Sequence, residues 1–114
     1  MIHTQTLKVM SAVDMSVATS NGLSVLAFNI ALCSFQAVWT GTSPVGTLQI
    51  QGSNNNINWS NDGSTTAVSG NSGNVLIKVT SVCYDYIRIQ YAKTSGVGTL
   101  NVLQSCQGEG ALGT

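Results

Sequence analysis

Ser34-Phe35-Gln36-Ala37-Val38-Trp39-Thr40-Gly41-Thr42-Ser43-Pro44-Val45-Gly46-Thr47-Leu48-Gln49-Ile50-Gln51-Gly52-Ser53 is the stretch whose reading decides the fold. Phe35, Ala37 and Trp39 fall on one side at a period of two, the spacing of a half-buried strand. Leu48 and Ile50 resume the alternation beyond Gly41, Pro44 and Gly46. The pattern predicts a β-hairpin whose loop has several residues. The chain then repeats itself. Thr94-Ser95-Gly96-Val97-Gly98-Thr99-Leu100-Asn101-Val102-Leu103-Gln104-Ser105 matches Thr42–Ser53 at seven of twelve positions with a constant offset of 52, and Tyr91 stands where Trp39 stood. Two such hairpins point to two related halves of one small domain, since two copies are too few for a stacked array.

Outward from this stretch, short strands alternate with turns. Leu7 and Val9 alternate in Thr6–Met10, and Asn21-Gly22 is a turn signal. Leu23–Ile30 reads as a strand or an extended lead-in to the strand Ala31–Trp39. Ser53–Gly63 is rich in Asn, Asp and Ser, which bond to nearby backbone and favour turns. Trp59 within it is expected to fold back and cap the edge of the core. Thr65–Val68 reads as a short strand and Ser69–Asn74 as a turn. Val75, Ile77 and Val79 mark one inward face, and Ile87, Ile89 and Tyr91 mark another, with Tyr86, Arg88 and Gln90 outward. Leu100 and Val102 begin the last inward face. No segment carries a capped helical stripe. The fold class expected is all-β: an antiparallel β-sandwich or jelly roll of about seven or eight strands over residues 1–114, with loose ends at the first few residues and at the Gly-rich 107–114.

The 114 residues suit one domain with a modest core. Charged residues make up 7% of the chain, against about 25% in an average globular domain. Lys8, Lys78, Arg88 and Lys93 balance Asp14, Asp62, Asp85 and Glu109, so formal net charge is zero. That leaves no electrostatic footprint for nucleic acid. It also removes the charge that keeps free proteins apart. Ser, Thr, Asn, Gln and Gly supply the polarity, which suits a surface buried against sister copies or a partner. No apolar run approaches the roughly 20 residues of a membrane helix, and the start lacks a basic-then-apolar signal pattern. Cys33, Cys83 and Cys106 are odd in number and without metal spacing, as expected of a cytosol-made protein with free thiols. Cys33 shares the face of Phe35 and reads as a small core residue; a Cys83–Cys106 disulfide is the alternative weighed for the others.

No catalytic constellation is legible. His3 is the only histidine, and a hydrolytic triad would need it on a rigid scaffold. The carboxylates are dispersed, and Gly41–Gly46 lacks the lysine of a phosphate loop. Asn54, Asn56, Asn58 and Asp62 could offer oxygens to calcium, but the loop has no bidentate Glu, so a solvated turn is expected. Asn58-Trp59-Ser60 matches a glycosylation acceptor, read as accidental without a secretory signal. Lys78, Arg88 and Tyr86 are expected to share an outward face. Asn54, Asn55, Asn56, Trp59, Tyr86 and Arg88 are the candidate contacts for a partner or a glycan.

Ser34–Thr42, Gly46–Asn54, Asn58-Trp59, Tyr86–Tyr91 and Ser95–Val102 together resemble small structural proteins of tailed bacteriophages. The resemblance covers roughly Ser34 to Val102. It implies a β-sandwich that is a virion component without enzymatic activity or cofactor. A capsid decoration or cement protein is the best fit to the short chain. It would sit on the exterior of the head as a homo-oligomer, dimer or trimer, touching the major capsid protein and sister copies, with no nucleic acid or membrane partner. The alternative is a tail, fibre or head-fibre subunit that binds a glycan or receptor through Trp59 and the Asn-rich loop.

Overall fold

A computed structural model describes residues 2–27, 30–80 and 82–109 of the chain. Among these residues are seven strands: β1 (Ile2–Asp14), β2 (Thr19–Asn21), β3 (Val25–Leu26), β4 (Ile30–Ser53), β5 (Ser60–Val68), β6 (Ser72–Val79) and β7 (Tyr86–Glu109). All pairings are antiparallel. Among the described residues there is no helix, and so none long and apolar enough to cross a membrane.

The expected hairpins are absent. Each is one long, bent strand, and the two strands, 24 residues apiece, pair with each other from Ile30↔Gly108 to Ser53↔Tyr86. The bend explains the misreading. Gly41, Pro44 and Gly46 punctuate like a turn, but the ladder only slips in register between Thr42 and Gly46 and then resumes. Pro44 lies inside that slip, where its missing N–H costs no ladder bond. Gly41 and Gly98 face each other across the bend. A Cβ on Gly41 would lie 2.2 Å from the Val97 carbonyl oxygen, and one on Gly98 would lie 2.5 Å from that of Thr40. Only glycine allows this approach.

The bend divides the ribbon into two layers. In the first, here the Cys half, the order is β6–β4–β7–β1. In the second, the Asn half, β5 flanks the later part of β4, and β2 and β3 flank the earlier part of β7. The inward parity changes across the bend: Phe35, Ala37 and Trp39 before it, Leu48 and Ile50 after it; Ile87, Ile89 and Tyr91 before, Leu100 and Val102 after. The bulge residue absorbs the change, so both inward rows stay on the concave side and close on each other as a sandwich. Trp39 is 5% exposed and Ile89 fully buried. Gly22 N–H donates to Ile89 O at 2.8 Å and Leu23 N–H to Val9 O at 3.0 Å, clasping the two layers at one edge.

The offset of 52 is a pseudo-two-fold axis. It turns the pair Leu48↔Tyr91 into Leu100↔Trp39, Ile50↔Ile89 into Val102↔Ala37, and Gly46↔Lys93 into Gly98↔Gly41, all of them observed. The edge strands follow the same operation. β5 lies on β4 as β1 lies on β7, and β6 lies on β4 as β2 and β3 lie on β7. The repeats are therefore β1–β4 and β5–β7, each lending its short strands to the other's long one. Even the bulges correspond. Ala12 in β1 (φ 49°) and Gly63 in β5 (φ 79°) both take left-handed backbone. Asn101 Oδ1 accepts from Ala12 N–H at 2.8 Å, and its equivalent Gln49 donates Nε2–H to the carbonyls of Asp62 and Gly63, both at 3.2 Å.

The ends expected to be loose are strand as far as they are described: Ile2, His3 and Thr4 pair with Glu109, Gly108 and Gln107. Met1 and the rest of the proposed tail, 110–114, lie outside the described residues.

Candidate functional site

The Asn-rich loop joins β4 to β5 at the far end of the Asn half, and its amides are occupied in building it. Ser53 Oγ accepts from Asn55 N–H at 3.2 Å and Asn56 N–H at 2.9 Å. Asn55 Oδ1 accepts from Ile57 and Asn58 N–H, both at 2.9 Å. Asn54 Oδ1 accepts from Asp85 N–H at 3.0 Å, tying the loop to the segment before β7. Asn56, at φ 60°, accepts from the Ser24 hydroxyl. These are turn-forming bonds of short polar side chains. They turn the oxygens of Asn54 and Asn55 onto backbone N–H groups and that of Asn56 onto the Ser24 hydroxyl. Among the described residues no three His, Cys, Asp or Glu side chains converge as a metal site would require.

The loop delivers Trp59 onto the outer face of the sheet rather than over the edge of the core. The Arg88 guanidinium lies 4.2 Å from the Trp59 ring centroid, a cation–π contact. Arg88 Nε–H donates to Gln51 Oε1 at 2.8 Å, and Gln51 Nε2–H donates to Asn61 Oδ1 at 3.0 Å. The stack is thus held from beneath by β4 and β5, and partial burial lowers the pKa of Arg88. Tyr86 is two residues along the same face, half-buried, opposite Ser53 and Leu26. Ile57 is 77% exposed at the loop tip. Lys78 does not join this group. It pairs with Ser34 in the Cys half, on the opposite outside of the sandwich, because β6 and the start of β7 belong to different layers.

Beside the stack is a cleft of about 460 Å³ whose lining includes Asn58, Asn61, Asp62, Cys83 and Tyr84. Tyr84 O–H donates to Asp62 Oδ2 at 2.6 Å; burial and this bond push the phenol well above its ordinary pKa. Sequence reasoning passed over Asp62 and Tyr84 as a pair, because they are 22 residues apart and only the β5 bulge brings them together.

The outer face of the Cys half differs. Leu32, Val38, Leu76 and Leu103 are each 42–52% exposed. The register puts Leu76, Gln36, Leu103 and Lys8 in one row across four strands, with Val38 and Ser34 on either side of Gln36. Lys8 and Lys78 stand at the two margins.

No protein family and no curated protein matches the chain. Among solved structures, PBSX exported protein XepA is similar at a TM-score of 0.57 and 15% identity, over 93% of this chain and 36% of that one. The chain thus spans about a third of XepA's length. SPBc2 prophage-derived protein YomS aligns at TM-score 0.49 and 11% identity, over 94% of this chain and 95% of that one. A structure of infectious bursal disease virus, Gx strain, aligns at 0.42 and 12% identity, over 96% of this chain and 32% of that one. The likeness to XepA is one of fold.

Proposed function

We propose that this protein is a non-catalytic structural component of a bacteriophage virion, a decoration or cement subunit that reinforces the outside of the head by surface contact. The carrying observation is the outer face of the Cys half. Leu32, Val38, Leu76 and Leu103 stand there among Ser34, Gln36 and Asn101, with no carboxylate on the rows they occupy. Such a face can be covered by capsid protein or by sister copies with only Lys8 and Lys78, at its two margins, to keep hydrated or paired. The sequence resemblance to tailed-phage structural proteins supports the same reading. A modest area buried per copy, repeated over a closed shell, opposes internal pressure. A symmetric dimer or trimer presents the same face several times.

The second reading, a receptor- or glycan-binding subunit, is favoured by one arrangement: the Trp59–Arg88 stack beside the cleft of Asp62 and Tyr84. An aromatic face next to fixed amides and a carboxylate suits a polyhydroxylated ligand.

The deciding experiment compares particles with and without the protein. Particles lacking it should assemble, adsorb to cells normally, and burst at lower temperature or milder osmotic shock. Full capsid stability with failed adsorption would overturn the decoration reading in favour of the second.

A further inference from the structure

We propose that Cys33 and Cys106 are a modification site, a cross-strand thiol pair that a peroxide converts to a disulfide locking the end of the β4–β7 ladder. The two cysteines are direct partners in the register, and their sulfurs lie 3.1 Å apart, in contact and buried. Both side chains come from rigid strands on the same inward face, so the bridge needs side-chain rotation and a small approach of the strands. The expected alternative, Cys83 with Cys106, is ruled out by placement: Cys83 is exposed between β6 and β7, while Cys106 rests on Cys33.

The pseudo-two-fold axis shows why this position matters. The offset of 52 carries Cys33 onto Asp85 and Cys106 onto Asn54. At that opposite end of the ladder, Asn54 ties the strands by accepting from Asp85 N–H at 3.0 Å. The Cys half has two thiols where the Asn half has a tie. In the reduced protein they share a weak hydrogen bond; oxidised, they become the covalent counterpart of the Asn54–Asp85 bond.

The surroundings suit the chemistry. A cleft of about 250 Å³, lined by Leu32, Cys33, Leu76, Lys78 and Thr80 among others, borders Cys33. Gln104 Nε2–H donates to Cys33 Sγ at 3.6 Å, and with the Cys106 thiol in contact this favours the Cys33 thiolate and lowers its pKa, while the Cys106 thiol is pushed up by its neighbour and by burial. Cys33 sulfur attacks one peroxide oxygen, the O–O bond breaks, and the leaving oxygen departs as water with the thiol proton. Cys106 sulfur then attacks the Cys33 sulfenic sulfur, the S–O bond breaks, and the hydroxyl leaves as a second water with the Cys106 proton. Two thiols lose two electrons and one peroxide becomes two waters. The pair would remain dithiol in a reducing cytosol and close outside it.

The test uses the full chain purified under reductant, as wild type and as Cys83→Ser, which removes the exposed thiol. Each is treated with hydrogen peroxide in native buffer, alkylated, digested without reduction and analysed by mass spectrometry. The expected result is an intramolecular Cys33–Cys106 peptide, lighter by two hydrogens, in both proteins. The urea midpoint should rise on the order of 1–3 M from closing so long a loop, and dithiothreitol should reverse it. Wild-type mapping keeps the test decisive even if Cys83→Ser fails to fold. Alkylation of both cysteines after oxidation, sulfinic acid at Cys33, or only intermolecular bridges through Cys83 would overturn the proposal.

Discussion

The two halves of the sandwich are alike inside and unlike outside. Inward, Phe35 corresponds to Ile87, Ala37 to Ile89, Trp39 to Tyr91, Leu48 to Leu100 and Ile50 to Val102, and all ten are buried. Equivalent pairs differ in bulk: Ala37 pairs with Val102, while its equivalent Ile89 pairs with Ile50. Outward, the same operation relates Gln36 to Arg88, Val38 to Gln90 and Gln51 to Leu103. In the Asn half these positions lie under a loop and an aromatic stack. In the Cys half they form a bare, half-apolar face. A shared interior accounts for one fold built twice; different exteriors leave one molecule with two distinct contact surfaces.

The bend is where this comparison breaks most easily. Gly98→Val places a branched side chain against the Thr40 carbonyl and the Met15 sulfur. We expect a loss of about 4 kcal/mol or more, seen as unfolding by circular dichroism. Gly63→Ala, at the β5 bulge, meets nothing within 4 Å and suffers only from its φ of 79°. It should cost about 1 kcal/mol. Equal effects would mean that the bend yields.

The equivalent aromatics test whether the two cores matter alike. Trp39→Ala should cost about 3–5 kcal/mol in chemical denaturation, as other large-to-small core changes do. A midpoint equal to the parent's would place Trp39 outside the core. Tyr91 carries a buried hydroxyl with no hydrogen-bond partner among the described residues. Tyr91→Phe removes that orphan and keeps the ring, so stability should hold or rise by about 1 kcal/mol.

The bulge plugs come next. Gln49 is 7% exposed and donates to three carbonyls, those of Ile50, Asp62 and Gly63. Gln49→Ala should cost about 2 kcal/mol, since buried acceptors lose their donor. Asn101→Ala removes one exposed bond to Ala12 N–H and should cost about 0.5–1 kcal/mol. The reverse order, by urea titration, would show that β1 and not β5 is the more tightly held edge.

Much of this was legible in the sequence. Period-two alternation set the inward residues on both sides of each bend, and the repeat at offset 52 marked the internal symmetry. What the alternation could not show was that the strand continues. A parity change with Gly and Pro between is the signature of a turn and equally of a bulged bend, and only the pairing of β4 with β7 along both arms distinguishes them. The candidate site was legible in part. Trp59 and Arg88 are both among the candidate contacts read from the sequence, and they meet in space. The asparagines read as contacts in the sequence, but Asn55 spends its oxygen within the loop, Asn54 on Asp85 N–H and Asn56 on the Ser24 hydroxyl, geometry that composition does not carry.

The smallest effect on stability should be the most informative about function. Leu103→Gln gives the Cys half the residue its equivalent Gln51 already is, and Leu76→Gln extends the change along the same row. Both side chains are about half exposed, so stability should stay within about 0.5 kcal/mol of the parent. If the bare face is covered in the working assembly, the double variant should lose self-association by light scattering and rebind poorly to particles stripped of the protein. Trp59→Ala on the opposite outside should leave both measurements unchanged. The opposite result, normal rebinding for the leucine variant and failed cell adsorption for Trp59→Ala, would move the function to the Asn half. The two faces belong to different layers, so neither substitution reaches the other through the core, and the comparison separates them within one fold.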